Sequence, residues 1–164
     1  MQDFNSAFTE IKAFLPKDCI TTDREDLIQH GSSSWTYHDP KILPGAVLYP
    51  RSTEDVVGIV KAAYKYSIPI VPFSGGTSLE GHFDAPSFPL RQGQEKEAPI
   101  PLEDLKTGPT FVVDFSTHMN EIIEVHERDM DVVVQPGVPY EQLNEDLAAK
   151  KLFFPVDVSP RWLD

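Results

Sequence analysis

A glycine-rich stretch, PFSGGTSLEGH from Pro72 to His82, offers the clearest chemistry in the chain. It follows Ile68-Pro-Ile-Val71, a short run typical of a β-strand. Successive backbone N–H groups in such a turn form a concave anion site, because glycine permits positive φ and has no Cβ to hold a phosphate away. Thr77 and Ser78 add hydroxyl donors without adding charge. The alternative is an ordinary tight turn after a strand, and the loop alone leaves both open.

The glycine spacing excludes two common phosphate-binding motifs. Gly75, Gly76 and Gly81 do not give G-x-G-x-x-G, no clear helix follows, and no Lys-Ser/Thr pair closes the loop as in a P-loop. Glu80 is best interpreted as a solvated carboxylate or a local cap, without a catalytic role. The other histidines are scattered along the chain, and we interpret each as a surface or structural residue. They are His30, His38, His118 and His126. The sequence therefore predicts no catalytic residue and no metal site within this chain.

Composition limits the possible partners. The chain has 164 residues, 40% of them hydrophobic, which is enough for one core-forming domain or slightly more. The formal net charge of -12 argues against nucleic acid and anionic membrane as partners, since both repel an acidic surface. A single cysteine, Cys19, gives no disulfide framework and fits a partly buried, inert thiol. No apolar run is long enough to span a bilayer.

Hydrophobic periodicity and capping residues predict the elements that must position the loop. We expect helices over 4–15, 22–30, 53–66 and 140–150, and strands over 46–49, 68–71, 110–114, 121–125 and 131–134. Residues 152–155 fit a strand or a connection. Ser52 is the expected N-cap of the third helix. The expected buried stripe of that helix is Val56, Val57, Val60, Ala63 and Tyr64.

The order strand, helix, strand over 46–71 predicts a parallel βαβ unit. We place 110–134 in a separate second sheet beside it. Residues 83–108 carry many prolines and mixed charge without a period, which predicts a long surface loop. We expect this loop and the N-terminal helix to contribute few apolar groups to the core.

Six stretches resemble one family in order and spacing: PRSTEDV, IPIVPFSGGTSLEGH, MNEIIEV, VVVQPGV, LNEDL and FFPVD. They are similar to the FAD-linked D-lactate dehydrogenase and glycolate oxidase family, which carries the vanillyl-alcohol-oxidase or PCMH type of FAD domain. The likeness is greatest to its mitochondrial, cytochrome c-linked members. HGSSSWTYH, which begins at His30, resembles the segment that precedes the FAD domain there.

The resemblance implies an α+β fold, the N-terminal half of a PCMH-type FAD-binding domain. That half comprises a βαβ subdomain and a second small sheet, preceded by a helical N-terminal segment. We therefore divide the chain into a helical and loop extension at 1–42 and a partial FAD-binding domain at 43–157, with a flexible proline-rich insertion at 83–108. The family pattern is lost after Asp157, which leaves 158–164 as a divergent tail.

The resemblance also implies a cofactor site for FAD in two segments. The pyrophosphate loop would comprise Ser74, Gly75, Gly76, Thr77, Ser78 and Gly81, with Pro72 and Phe73 at its entry. A second turn near the flavin would comprise Gln135, Pro136, Gly137 and Val138, although Gly137 fits a simple strand-end turn equally well. One relative places a histidine where Thr77 stands and links FAD to it covalently. Threonine cannot do this and His82 lies five residues further on, so we expect non-covalent FAD.

The implied activity is oxidation of a D-2-hydroxy acid such as D-lactate to the 2-oxo acid, with electrons passed to cytochrome c or another acceptor. The family's substrate and catalytic residues lie beyond Asp164, so none is assigned here. The implied location is mitochondrial, but no transit peptide is visible, so a cytoplasmic location stays open. Two alternatives also stay open: a truncated, non-catalytic fragment that binds FAD or pyrophosphate, and a non-functional gene product.

Overall fold

The computed structural model describes residues 3–33, 36, 40–86 and 100–155. Within these residues the α-helices are α1 (Phe4–Lys12), α2 (Arg24–Gly31), α3 (Thr53–Lys65) and α4 (Tyr140–Ala148). The strands are β1 (Ile20–Thr21), β2 (Ala46–Leu48), β3 (Ile70–Phe73), β4 (Phe111–Asp114), β5 (Ile122–His126) and β6 (Asp131–Val134). The helices and strands that the sequence predicts are present, with shifted ends. Residues 152–155 form a connection, and the predicted tail at 158–164 lies outside the described residues.

A four-stranded sheet has the order β1-β2-β4-β3. Strand β1 runs antiparallel to β2, whereas β2, β4 and β3 are mutually parallel. The prediction that β4 belongs to the second sheet is therefore wrong, since β4 separates the two strands of the predicted βαβ unit. All four residues of β4 are buried, as expected of a central parallel strand that is covered on both faces.

Each face of this sheet carries its own hydrophobic layer. Strand residues that alternate along β2 and β4 point to opposite faces. One layer joins Ala46, Leu48, Phe111 and Val113 to helices α1 and α3. The other joins Val47, Val71 and Val112 to Leu27 of α2 and to the loop residues Leu43, Phe83 and Leu105. The core is therefore a three-layer arrangement with the parallel strands in its middle.

Helix α1 is an integral part of the first layer. It buries Ala7 and Ile11, and Leu15 just beyond its end is also buried. The ring of Phe4 lies 4.9 Å from that of Phe111, between centroids, and Phe8 stacks on Phe4. The expectation that the N-terminal helix contributes few apolar groups is wrong, because its apolar stripe packs, together with α3, on one face of the sheet.

Helix α3 begins where the sequence places its cap. The Ser52 hydroxyl accepts a hydrogen bond from the Asp55 N–H at 3.2 Å, which satisfies one of the free donors of the first turn. Its buried residues are Ile59, Ala62 and Ala63. Only Ala63 belongs to the predicted stripe, so the buried face is rotated around the helix axis relative to the prediction. The prediction failed because α3 is apolar over most of its circumference, and packing against α1 selects which side is covered.

The predicted surface loop at 83–108 is packed at both described ends. Phe83, Ala85 and Leu105 are buried. The Arg24 guanidinium donates to the carbonyl oxygens of Leu102, Glu103 and Leu105 at 3.0, 2.6 and 2.9 Å. Phe83 and Leu105 therefore cover the second face of the sheet, while residues 100–104 remain exposed. Residues 87–99 lie outside the described residues.

The second sheet is the antiparallel hairpin β5–β6, with a register irregularity between Ile122 and Glu124. This confirms a second small sheet, although β4 is not part of it. Helix α4 follows β6 and buries Leu143 and Leu147. Its N-cap is Pro139, and the helix begins at residue 140 as predicted.

Candidate functional site

The two predicted cofactor segments meet in the fold. Strand β3 ends at Phe73 and the glycine-rich loop follows at once, while the turn at 135–138 follows β6. The Ser74 hydroxyl donates to the Pro136 carbonyl oxygen at 3.1 Å, a contact between residues 62 apart in the chain. The loop that follows β3 therefore lies against the turn that connects the second sheet to α4.

Glycine is required at Gly76 by backbone conformation. Its φ is +64°, and a Cβ there would lie 2.9 Å from the Phe73 Cζ atom. Gly81 also has a positive φ, +66°. Gly75 differs, since a Cβ there would meet only the Thr77 Cγ2 atom, at 3.7 Å. A side chain is therefore disfavoured at Gly76, both by its backbone conformation and by the Phe73 ring. At Gly75 there is room for a side chain.

The donors of the loop are available. Within the described part of the chain, no backbone N–H from Gly75 to Leu79 donates a hydrogen bond to another protein group. The Ser78 hydroxyl oxygen accepts from the N–H groups of Glu80 and His82 at 3.3 and 3.4 Å, which shapes the second half of the loop. A glycine-rich loop with free N–H groups is the donor set that a pyrophosphate needs, so these residues fit FAD.

Phe73 and Pro72 support the loop in different ways. The half-buried Phe73 ring lies 4.6 Å from the His30 ring and 5.4 Å from the Phe83 ring, between centroids. Pro72 is exposed on β3, which pairs only with β4 among the described strands. Phe73 therefore anchors the loop to the core, and Pro72 occupies the sheet edge beside it.

The second turn is held by the protein itself. Gln135 exchanges hydrogen bonds with Glu121: its N–H donates to the Glu121 carbonyl and its amide oxygen accepts from the Glu121 N–H, both at 2.9 Å. The Gly137 N–H donates to the Met119 carbonyl at 2.8 Å, and a Cβ at Gly137 would collide with the Phe115 carbonyl oxygen. Val138 donates to the Gln135 carbonyl at 3.2 Å. Backbone packing thus suffices to explain glycine at position 137.

A buried histidine–aspartate pair lies beside the strand end from which the loop leaves the sheet, and local sequence patterns do not indicate it. His30 Nε2 lies 2.8 Å from Asp114 Oδ2, and His30 Nδ1 lies 2.8 Å from the Asp26 carbonyl oxygen. Burial opposes the charged imidazole, but the bonds to Asp114 and Asp26 outweigh it and raise the pKa of His30. Burial likewise opposes the charged Asp114 carboxylate, but bonds from His30 and Ser116 lower its pKa. The pair is 84 residues apart in sequence, so no local pattern could have indicated it.

Other chemistry is sparse in the described residues. They contain no group of three or more His, Cys, Asp or Glu side chains arranged to hold a metal ion. None of the described helices has the length and apolar character needed to cross a bilayer. Cys19 is buried, and burial raises the pKa of its thiol. These features point to the glycine-rich loop as the candidate site.

The FAD binding domain family matches residues 44–87 and 102–161, and the chain belongs to this family. The matched ranges include both candidate segments, 72–81 and 135–138. The unmatched residues 88–101 fall within the proline-rich stretch.

Curated relatives and solved structures agree with this family. The chain is 40% identical over 163 residues to the mitochondrial D-lactate dehydrogenase (cytochrome) of Kluyveromyces lactis, covering 97% of this chain and 25% of that protein. It is 36% identical over 152 residues to the protein of the same name from Arabidopsis thaliana, covering 93% and 23%. The chain thus spans about a quarter of the length of these relatives.

A solved alkyldihydroxyacetonephosphate synthase superposes with a TM-score of 0.66 at 21% identity, covering 91% of this chain and 26% of that one. At that identity the superposition supports the fold alone. It agrees with the α+β architecture of a PCMH-type FAD-binding domain that the sequence predicts.

Proposed function

We propose that this chain binds FAD through its glycine-rich loop, as the N-terminal part of an FAD-dependent D-2-hydroxyacid dehydrogenase. The observation that carries the proposal is the set of N–H groups from Gly75 to Leu79, which donate to no described protein group. The positive φ of Gly76 gives the loop the conformation of a tight turn. The family match and the D-lactate dehydrogenase names of the relatives supply the substrate class.

Each loop residue would have a distinct task. The N–H groups of Gly75, Gly76 and Thr77 would donate to the pyrophosphate oxygens, and the Thr77 hydroxyl would add a further donor. Ser74 would hold the loop against Pro136 through the 3.1 Å bond. The backbone donors place partial positive charge locally, so an acidic protein can still bind an anion.

The second turn would act mainly by position. Gln135 and Gly137 are engaged with the Glu121 and Met119 backbones, so they would fix the wall of the site, and Pro136 and Val138 would supply its surface. When bound, FAD would accept the hydride equivalent from the α-carbon of the hydroxy acid and pass electrons onward. We propose cytochrome c or another electron acceptor and a mitochondrial location, because the relatives are named mitochondrial D-lactate dehydrogenases (cytochrome).

The cofactor would be held without a covalent bond. Thr77 has no nucleophilic ring nitrogen, and His82 is an exposed residue five positions further on. Acid precipitation of the FAD-loaded protein should leave all the flavin in the supernatant. Flavin that stays with the precipitate would contradict non-covalent binding.

Gly75 allows a test with a matched control. Its Cβ position is open, so Gly75→Asp and Gly75→Asn should both fold, and they differ only in charge at nearly equal shape. The carboxylate should repel the pyrophosphate and weaken FAD binding about tenfold or more relative to Gly75→Asn, measured by flavin fluorescence titration. Absence of FAD binding to the unmodified chain, or equal affinities for the two variants, would contradict the proposed function.

A further inference from the structure

Asp114 and Phe73 are paired neighbours at the ends of adjacent strands. They face each other in the β3–β4 register, at the point where the glycine-rich loop leaves the sheet. His30, the next-to-last residue of α2, contacts both: Asp114 through Nε2 at 2.8 Å and the Phe73 ring at 4.6 Å between centroids. This buried histidine therefore joins α2 to the strand ends that position the loop.

The hydrogen-bond partners of His30 favour the protonated form of its ring. A backbone carbonyl can only accept, so Nδ1 must donate to Asp26. Asp114 Oδ1 already accepts from the N–H and the hydroxyl of Ser116, both at 2.7 Å, while Oδ2 faces Nε2. The lowered pKa of Asp114 keeps its carboxylate ionised, so a protonated His30 ring donates from both nitrogens and the pair is an imidazolium and a carboxylate.

The contact continues from His30 to the loop. The Phe73 ring contacts His30 and also lies beside Gly76, where a Cβ would be 2.9 Å from the Phe73 Cζ atom. We therefore expect displacement of His30 to move Phe73 and, through Phe73, to affect Gly76. The other titratable groups that face His30 are Asp26 on its own helix and Tyr49 after β2, whose pKa burial raises to about 12. Tyr49 thus stays neutral across the pH range in which His30 titrates.

We propose that His30 is a positioning residue for the pyrophosphate loop, acting through Phe73, and that loss of its proton weakens anion binding by the loop. The effect on FAD rests on the proposed function of the loop, but the coupling from His30 to Gly76 does not. Protonated His30 keeps both bonds and holds Phe73 in place. A neutral ring has one donor for two acceptors, so one bond must break.

The first experiment needs no ligand. Amide resonances of Gly75 and Gly76 in the full chain are followed by NMR from about pH 5.5 to about pH 9, beside the ring resonances of His30. Both glycine amides should shift with the midpoint of His30, above the ordinary histidine value of 6.5. In His30→Gln, which keeps a donor for Asp114 but does not titrate, this transition should vanish. Glycine amides that ignore the His30 midpoint would overturn the proposal.

The second experiment measures FAD affinity over the same pH range. Binding should weaken by about five- to tenfold as His30 loses its proton, the low end of coupling between linked sites, and His30→Gln should remove this dependence. His126→Gln is the matched control, since His126 also has a raised pKa, from bonds to Asp131 and Glu124, but lies on the second sheet.

The outcomes separate the two proposals. If Gly75→Asp binds FAD as Gly75→Asn does while the glycine amides still follow His30, the FAD assignment fails and the coupling stands. If FAD binds through the loop but His30→Gln keeps the pH dependence, the positioning role fails alone. A dependence that His126→Gln abolishes would also overturn the role of His30.

Discussion

The two sheets of this protein contain strands of similar composition that differ in burial. Strand β4, FVVD, is buried at every position, whereas β6, DVVV, has no buried residue. Helices and loop ends cover both faces of the first sheet. The four-stranded sheet with its covering helices and loop ends is the first unit, and the β5–β6 hairpin with α4 and residues 152–155 is the second unit. In the second unit, Ile123 is 61% exposed and Phe153 75% exposed. Burial of a β-branched strand is therefore decided by what packs on it, and composition alone does not distinguish the two cases.

The second unit also contains an open apolar cleft. This cleft of about 540 Å³ lies between the β5–β6 hairpin, α4 and the connection at 152–155, lined by Val132, Leu147 and Phe154 among others. It does not include the glycine-rich loop. The largest stability effects should therefore come from the core of the first unit, and exposed cleft residues such as Phe153 should tolerate substitution.

The strongest test of this difference compares two phenylalanines. Phe111 is fully buried and contacts Phe4 and Phe8. Phe111→Ala should lower the free energy of unfolding by about 4 kcal/mol, from lost burial and the cavity left behind, measured by urea denaturation. Phe153→Ala, at an exposed position, should change it by less than about 0.5 kcal/mol. Similar losses for both variants would show that the second unit is as tightly packed as the first.

The next effect compares two histidine–carboxylate pairs. His30→Leu leaves Asp114 buried without its partner and should cost about 3 kcal/mol of unfolding free energy. His126→Leu breaks the exposed pair with Asp131 on the hairpin and should produce no comparable loss, because water screens those charges. Urea denaturation of both variants measures the contrast, and a larger loss for His126→Leu would reverse it.

The buried pair should also give the first unit a pH optimum. The raised pKa of His30 adds stability that is complete below the ordinary value of 6.5 and is lost as pH rises through the raised pKa. The lowered pKa of Asp114 adds stability that is present above the ordinary value of 3.8 and is lost as pH falls through the lowered pKa. Both contributions are complete between those two ordinary values. The difference in unfolding free energy between the native chain and His30→Gln should be largest there, and a difference that grows above pH 6.5 would contradict this sign.

The smallest effect concerns helix starts. Helix α3 has a side-chain cap at Ser52, whereas α4 begins at Pro139 without a side-chain cap bond. Ser52→Ala should cost about 1 kcal/mol of unfolding free energy. The neighbouring exposed residue gives the control, and Thr53→Ala should change stability by less than about 0.5 kcal/mol. Equal losses of unfolding free energy for Ser52→Ala and Thr53→Ala would mean that the Ser52 capping bond does not stabilise the helix.

Features that depend on neighbouring residues could be predicted from sequence. The Ser52 cap, the position of α3 and the turn into the glycine-rich loop each rest on residues within a few positions of one another. Gly76 needs its positive φ for the same local reason. The family motifs added the second segment, 135–138, which local patterns alone would not connect to the loop.

Features that depend on distant residues could not be predicted. Insertion of β4 between β2 and β3 is set by partners more than 35 residues away in the chain, and hydrophobic periodicity does not name a strand's partner. The same holds for the His30–Asp114 pair and for α1, whose apolar stripe is visible but whose target face is not. The buried side of α3 was missed because two apolar stripes were available.

Pro72 has a consequence for how the chain behaves at high concentration. The carbonyls of Pro69 and Phe73 accept bonds from Phe111 of β4 and from Phe115 just after it, so the backbone of Pro72, an alternate residue, faces the outer edge of the sheet. Proline has no N–H to offer an incoming strand. At the other edge, β1 is only two residues long. Both edges of this sheet are therefore poor templates for pairing with a strand of another chain, which protects the sheet against edge-to-edge aggregation.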